Sequence, residues 1–129
     1  MTTENNKIIA EFMEWDILND MTYSKATKGK WIELDKLKFY SNWNWLMEVV
    51  EKIENLPSRT LQGNCYLGNE VKIYKAINTN THYCEINLVK ESGYRIVSIQ
   101  FNKESKIKSV YDACLEFIKW YNLNSEKEE

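Results

Sequence analysis

Three cysteines, Cys65, Cys84 and Cys114, and a single histidine, His82, are the side chains of this 129-residue chain best suited to act as nucleophile or metal ligand. A structural zinc site needs four nitrogen or sulfur donors, usually in close pairs, and no C-x-x-C pair is present. His82 and Cys84 stand two apart, which on a strand puts them on one face. A Cys–His couple also needs a third group to orient the base and donors for an oxyanion, and the sequence supplies neither beside them. Three widely spaced cysteines make no disulfide framework and read as reduced thiols of a cytoplasmic protein. Cys84 and Cys114 fall inside apolar patterns and belong to the core, whereas Cys65, in the polar run QGNCYLG, is expected at the surface. His82, at a strand start, is expected to face solvent. Gly29, Gly63, Gly68 and Gly93 are scattered and form no phosphate-cradling loop. No carboxylate pair stands out among 19 acidic residues. The expectation is a protein with no catalytic residue, no cofactor and no metal, and so not an enzyme.

The elements that position these residues follow from hydrophobic period. Residues 6–15 read as a short amphipathic helix, with Ile8, Ile9, Phe12 and Met13 on one side and Asn5 or Asn6 as cap. Residues 19–30 show neither period and read as loop; 31–40 lean to extended chain. Leu46, Val49, Val50, Ile53 and Leu56 recur at helical spacing after Ser41, a fair N-cap, and Pro57 ends that helix. Trp43 and Trp45 widen its apolar sector and are assigned to the core. After a loop over 57–70 the period becomes two. Val71, Ile73 and Ile77 form one strand, Cys84, Ile86 and Leu88 a second, and Val97, Ile99 and Phe101 a third, joined by Asn-Thr-Asn-Thr and Lys-Glu-Ser-Gly turns. Their other face carries Tyr74, Tyr83 and Ile96, apolar enough to predict a covering layer. A last helix runs from a Ser105 cap to about Asn122, with Ile107, Val110, Tyr111, Cys114, Ile118 and Tyr121 as its stripe and Trp120 near the opposite side. The expected fold class is therefore α+β: a helix–sheet–helix sandwich, with a three-stranded antiparallel meander and about three helices. One domain spans 1–125, followed by a charged flexible tail over 126–129.

The runs NKIIAEFM (6–13), Lys30-Trp31, LKFYSNWNWLMEVVEKIE (37–54) and SVYDACLEFIKWYN (109–122) resemble, in the same order, small proteins carried by phages and mobile elements of Bacteroidota, similar to the phage ABA-sandwich domain. The W-x-W-L-M-x-V-V-E-K-I-E segment is the most specific part. The sequence departs from that pattern at Asn44, where Asp is usual, and at Glu48, where Pro is. The resemblance implies an α-β-α sandwich and brings no catalytic motif. Its setting implies a non-catalytic inhibitor of a host defence complex, specifically an anti-CRISPR acting on a type VI-B RNA-guided RNA nuclease or its guide RNA. A phage accessory or structural interaction protein, and a small RNA-binding module, are the alternatives.

Composition and charge bear on the partner. With 43% hydrophobic and 28% charged residues the chain is globular in type, and its net charge of −2 creates no field that draws it onto nucleic acid or anionic lipid as a whole. No apolar run is long enough to span a membrane, and the start MTTENNK has no leader pattern, so a cytoplasmic location in the host cell is expected. The charge is unevenly spread. Residues 1–70 hold 8 basic and 11 acidic side chains, and 71–125 hold 8 basic and 5 acidic. Lys72, Lys75, Lys90, Arg95, Lys103, Lys106 and Lys108 are therefore the candidate RNA- or partner-binding residues, with Tyr74, Tyr83 and Tyr94 as stacking surfaces. Trp120 is the candidate protein contact.

Overall fold

The computed structural model describes the backbone of residues 3–25, 27–57, 59–61 and 64–127. Helix α1 spans Thr3–Phe12, and a small antiparallel sheet follows, made of β1 (Asp16–Leu18), β2 (Met21–Tyr23) and β3 (Ile32–Glu33). A 3-10 turn over Leu34–Lys36 leads to α2 (Trp43–Glu54). A short hairpin of β4 (Arg59–Leu61) and β5 (Asn64–Tyr66) precedes three long strands, β6 (Gly68–Lys75), β7 (His82–Lys90) and β8 (Gly93–Asn102). Helix α3 closes the chain over Lys106–Lys127. The α+β class, the three-stranded antiparallel meander and the three helices thus agree with the sequence patterns.

Local chemistry fixes the ends. Helix α1 stops because Glu14 adopts a left-handed backbone (φ 61) and Trp15 N–H returns to the Ala10 carbonyl at 3.0 Å. Asn6 is no cap. It lies inside α1, fully buried, and its amide donates to the Leu34 carbonyl at 2.7 Å, tying the helix to the 3-10 turn. Asn42 rather than Ser41 caps α2, its Oδ1 accepting from the Asn44 and Trp45 amides. The 19–30 stretch is only partly loop, because β2 runs through it; the Thr22 hydroxyl donates to the Asp16 carbonyl at 2.8 Å across the pair. Strand pairing within 31–40 is confined to Ile32–Glu33, with Leu37 extended again after the 3-10 turn. Helix α3 continues to Lys127, so the expected tail over 126–129 is helical at its first two residues and its last two lie outside the described ones.

The order of layers differs from the expected sandwich. Helix α3 packs on β7 and β8, α2 packs on β6, and α1 packs on α3 and the 3-10 turn. Helix α3 is buried on most of its circumference, through Ser109, Val110, Tyr111, Ala113, Cys114, Leu115, Phe117 and Ile118. Its Ser109–Ala113 side, which a single-stripe reading leaves for solvent, faces the sheet: the Ser98 hydroxyl donates to the Ala113 carbonyl at 2.9 Å. Small side chains there let helix and sheet approach closely. The apolar cluster joins Ile9 and Phe12 of α1, Leu46, Val49, Val50 and Ile53 of α2, Cys84 and Ile86 of β7 and the inner residues of α3. The opposite face of the long sheet is bare among the described residues, with Tyr74, Tyr94, Ile96, Ile99 and Phe101 all exposed on it. The second layer expected from its apolar content is not found among the described residues.

Candidate binding face

Register decides which side chains reach that bare face. Strand β7 is central, and cross-strand partners share a face. Tyr74, Tyr83 and Phe101 form one outward row, Lys72, Glu85 and Ile99 the next, then Glu70, Asn87 and Ile96, and finally Gly68, Val89 and Tyr94. The inward rows hold Val71, Ile86 and Ser98, and Ile73, Cys84 and Gln100.

Strand β8 departs from its own sequence pattern. The alternation of Val97, Ile99 and Phe101 predicts an inward apolar set, with Ser98 and Gln100 outward. A register shift opposite Ile86 and Asn87 leaves Val97 as the extra residue and inverts everything after it. Ser98 is 5% exposed and bonded to α3, while Ile99 is 45% and Phe101 62% exposed. The strand therefore buries its polar residues and shows its apolar ones to solvent. Fully burying such side chains is worth about 1.5–3 kcal/mol each, so the arrangement forgoes stabilisation.

The face has an ordered aromatic end and a polar centre. The Tyr74 and Tyr83 rings stack at 5.3 Å with 8° between planes, and Tyr83 meets Phe101 at 5.9 Å. Lys72 holds its ammonium 5.2 Å from the Tyr94 ring centroid and 3.7 Å from Glu70. In the centre Asn87 is fully buried, donating to Glu85 Oε2 at 2.8 Å and to Glu70 Oε1 at 3.4 Å. The Tyr74 hydroxyl lies 3.5 Å from Glu85, and partial burial together with that carboxylate raises its pKa. These bonds tie Asn87 and Glu85 into the sheet surface, while the Lys72–Glu70 pair projects beside the apolar and aromatic side chains.

The sequence-predicted basic set is not one patch. Lys90 and Arg95 flank the β7–β8 turn; Lys75, Lys103, Lys106 and Lys108 lie toward the other end of the strands or the start of α3. At about 3.3 Å per residue Arg95 and Lys103 are roughly 26 Å apart along the chain direction, well beyond the Debye length at physiological salt. Lys72 alone sits within the bare face. Trp120 is half-buried, 5.8 Å from Phe117 and packed on a small cluster of Tyr66 and Leu88. It also borders a groove of about 600 Å³ between β8 and α3, beside Gln100, Lys119 and Leu123. Trp43, assigned to the core, is 39% exposed because it stands at the first position of α2, ahead of the Leu46–Ile53 stripe; Trp45 is half-buried against Trp15 and Phe39.

The thiols and imidazole do not assemble a reactive centre among the described residues. Cys84 and Cys114 are buried, and Cys65 is exposed, as expected. Burial, reinforced by Glu85, pushes the Cys84 thiol up to about 12, and burial drives Cys114 upward as well. His82 shares the inner face with Cys84, whereas Glu85 points outward from the other side of the sheet. His82 is half-buried rather than solvent-facing, and its Nδ1 is buried without a hydrogen-bond partner. No group of three or more His, Cys, Asp or Glu side chains suited to a metal ion occurs among the described residues, and no helix among them is long and apolar enough to cross a membrane.

Fold and face together define a one-sided α+β protein, helices on one side of a three-stranded sheet and an apolar surface on the other. No family model, curated protein or solved structure matches the chain.

Proposed function

We propose that this protein is a non-catalytic binding protein that docks the bare sheet face on a protein partner, and that the partner is the protein component of a host defence complex. The observation that carries the reading is the inverted strand β8, which presents Ile96, Ile99 and Phe101 to solvent while Ser98 is buried. Natural sequences break their own pattern where function requires it. Exposed aromatic and aliphatic side chains around a locked polar centre have the make-up of an interface core. Glu70 and Glu85 lie in the middle of the face, and carboxylates there oppose a phosphate backbone, which favours protein over RNA at this surface.

The resemblance to phage-borne proteins of Bacteroidota points to the type VI-B RNA-guided RNA nuclease as the particular partner, with inhibition by occlusion or by altered guide binding. The test mixes purified protein, nuclease and guide RNA and follows target-RNA cleavage. Cleavage is expected to fall with protein added, and Phe101→Glu or Ile99→Glu is expected to weaken inhibition by about tenfold or more while leaving the fold intact. Unchanged cleavage and guide binding at large protein excess rejects the nuclease as partner. Full inhibition by both variants rejects the face.

A further inference from the structure

Lys28, Lys30, Lys36 and Lys38 converge on a groove of about 400 Å³ whose wall includes Trp45 and Asn42. The four come from different pieces of chain: the β2–β3 loop, the 3-10 turn and the segment before α2. Sequence charge gave no hint of this, because residues 1–70 are acidic in sum. Among the described residues Lys28, Lys30 and Lys38 have no carboxylate within ion-pair distance. Lys36 reaches Glu33 at 3.7 Å, a pair more than half exposed on both sides and so worth little.

Around Lys28 and Lys30 the chain is tied between Ser24 and residues 27–30. The buried Thr27 hydroxyl accepts from Ser24 N–H at 3.0 Å and lies 2.7 Å from the Lys30 carbonyl. Gly29 N–H returns to the Ser24 carbonyl at 3.2 Å. Lys28 takes a left-handed backbone (φ 57) before Gly29 (φ 72), a conformation that costs a non-glycine residue about 1 kcal/mol or more. Helix α2 also points its N-terminus into the groove through its Asn42 cap, and its first turn carries no acidic residue. Four exposed like charges gathered beside a helix N-terminus repel one another weakly, and an anion in the groove relieves that repulsion. The half-buried Trp45 indole and Ile32 give the groove an apolar wall suited to a base. Beyond the loop, Tyr23 and Trp31 form an exposed ring pair at 5.6 Å.

We propose that this groove binds single-stranded nucleic acid, taking phosphates on Lys28, Lys30 and Lys38 and a base against Trp45, with the Tyr23–Trp31 pair as the next stacking surface. The inference uses none of the residues of the bare sheet face, so either reading can fail alone.

The experiment is fluorescence anisotropy with a labelled 12-nucleotide mixed-sequence RNA at several salt concentrations. Three neutralised phosphates give a log–log salt slope of about −2, so that binding weakens by about tenfold to twentyfold between 50 and 200 mM salt. Lys30→Gln with Lys38→Gln is expected to cut affinity at 50 mM by about tenfold and to bring the slope close to −0.7. Both lysines are exposed, so the double variant keeps its fold, which circular dichroism checks. Lys103→Gln with Lys106→Gln is expected to change neither quantity. No binding at 50 mM salt overturns the proposal. So does equal loss in the Lys103/Lys106 variant, or displacement of the RNA by equimolar ATP or tripolyphosphate, which would mark a small-anion site.

Discussion

The two faces of the β6–β7–β8 sheet are built from the same strands and obey opposite rules. Inward, Ile86 and Leu88 are almost wholly buried and pack as their spacing dictates. Outward, Ile99 and Phe101 stand in solvent on a strand whose next-door Ser98 is buried. The inner face is explained by folding alone. The outer face forgoes that burial and is not explained by folding alone, and that difference is the main ground for proposing a binding role for it.

The contrast can be broken at three points, in decreasing order of effect. Ile86→Ala opens a cavity against α3 and is expected to cost about 2–5 kcal/mol in urea unfolding; a loss below 1 kcal/mol would mean that the inner face is not the organising core. Alkaline pH comes second. Burial raises the Cys84 thiol from 9.0 to about 12 and the Tyr111 hydroxyl from 10.0 to about 12. The folded chain then keeps protons that the unfolded chain releases, so stability is complete below about pH 9 and falls as pH rises toward 12. The slope reaches about 1.4 kcal/mol per pH unit for each group fully inside its window. Cys84→Ala should flatten that fall, and stability that stays level from pH 8 to 10.5 contradicts it. Tyr74, raised as well but on the open face, adds little. Smallest is Ile99→Thr, expected within about 0.5 kcal/mol of the parent; a loss above 1.5 kcal/mol would show that the outer face is part of the core after all.

Period two in Val71–Ile73 and Cys84–Leu88, and helical spacing in Leu46–Ile53, made the long elements and most of the core legible. The three-residue strands β1 and β2 were not, because strands that short show no period and are held by contacts such as Thr22 to Asp16. Strand β8 misleads for another reason: its alternation is genuine, but one extra residue in the register assigns it to the other side. Clustering in sequence also failed as a guide to charge. Lys90 and Lys103 look like neighbours within a basic segment and stand at opposite ends of the sheet, whereas Lys28 and Lys38 meet in one groove from within an acidic half. Only tertiary structure decides which charges share a field.

The extra residue at Val97 gives the strand a frame. Deleting Val97 would only straighten the strand, with Ile96 still opposite Asn87 and Ser98 opposite Ile86. Pairing Val97 itself with Ile86 would instead slide every later β8 side chain over, sending Ile99 and Phe101 toward α3 and turning Ser98 and Gln100 out to water. A slip of one residue in the pairing, with no change of sequence, thus separates a sticky exterior from an ordinary one.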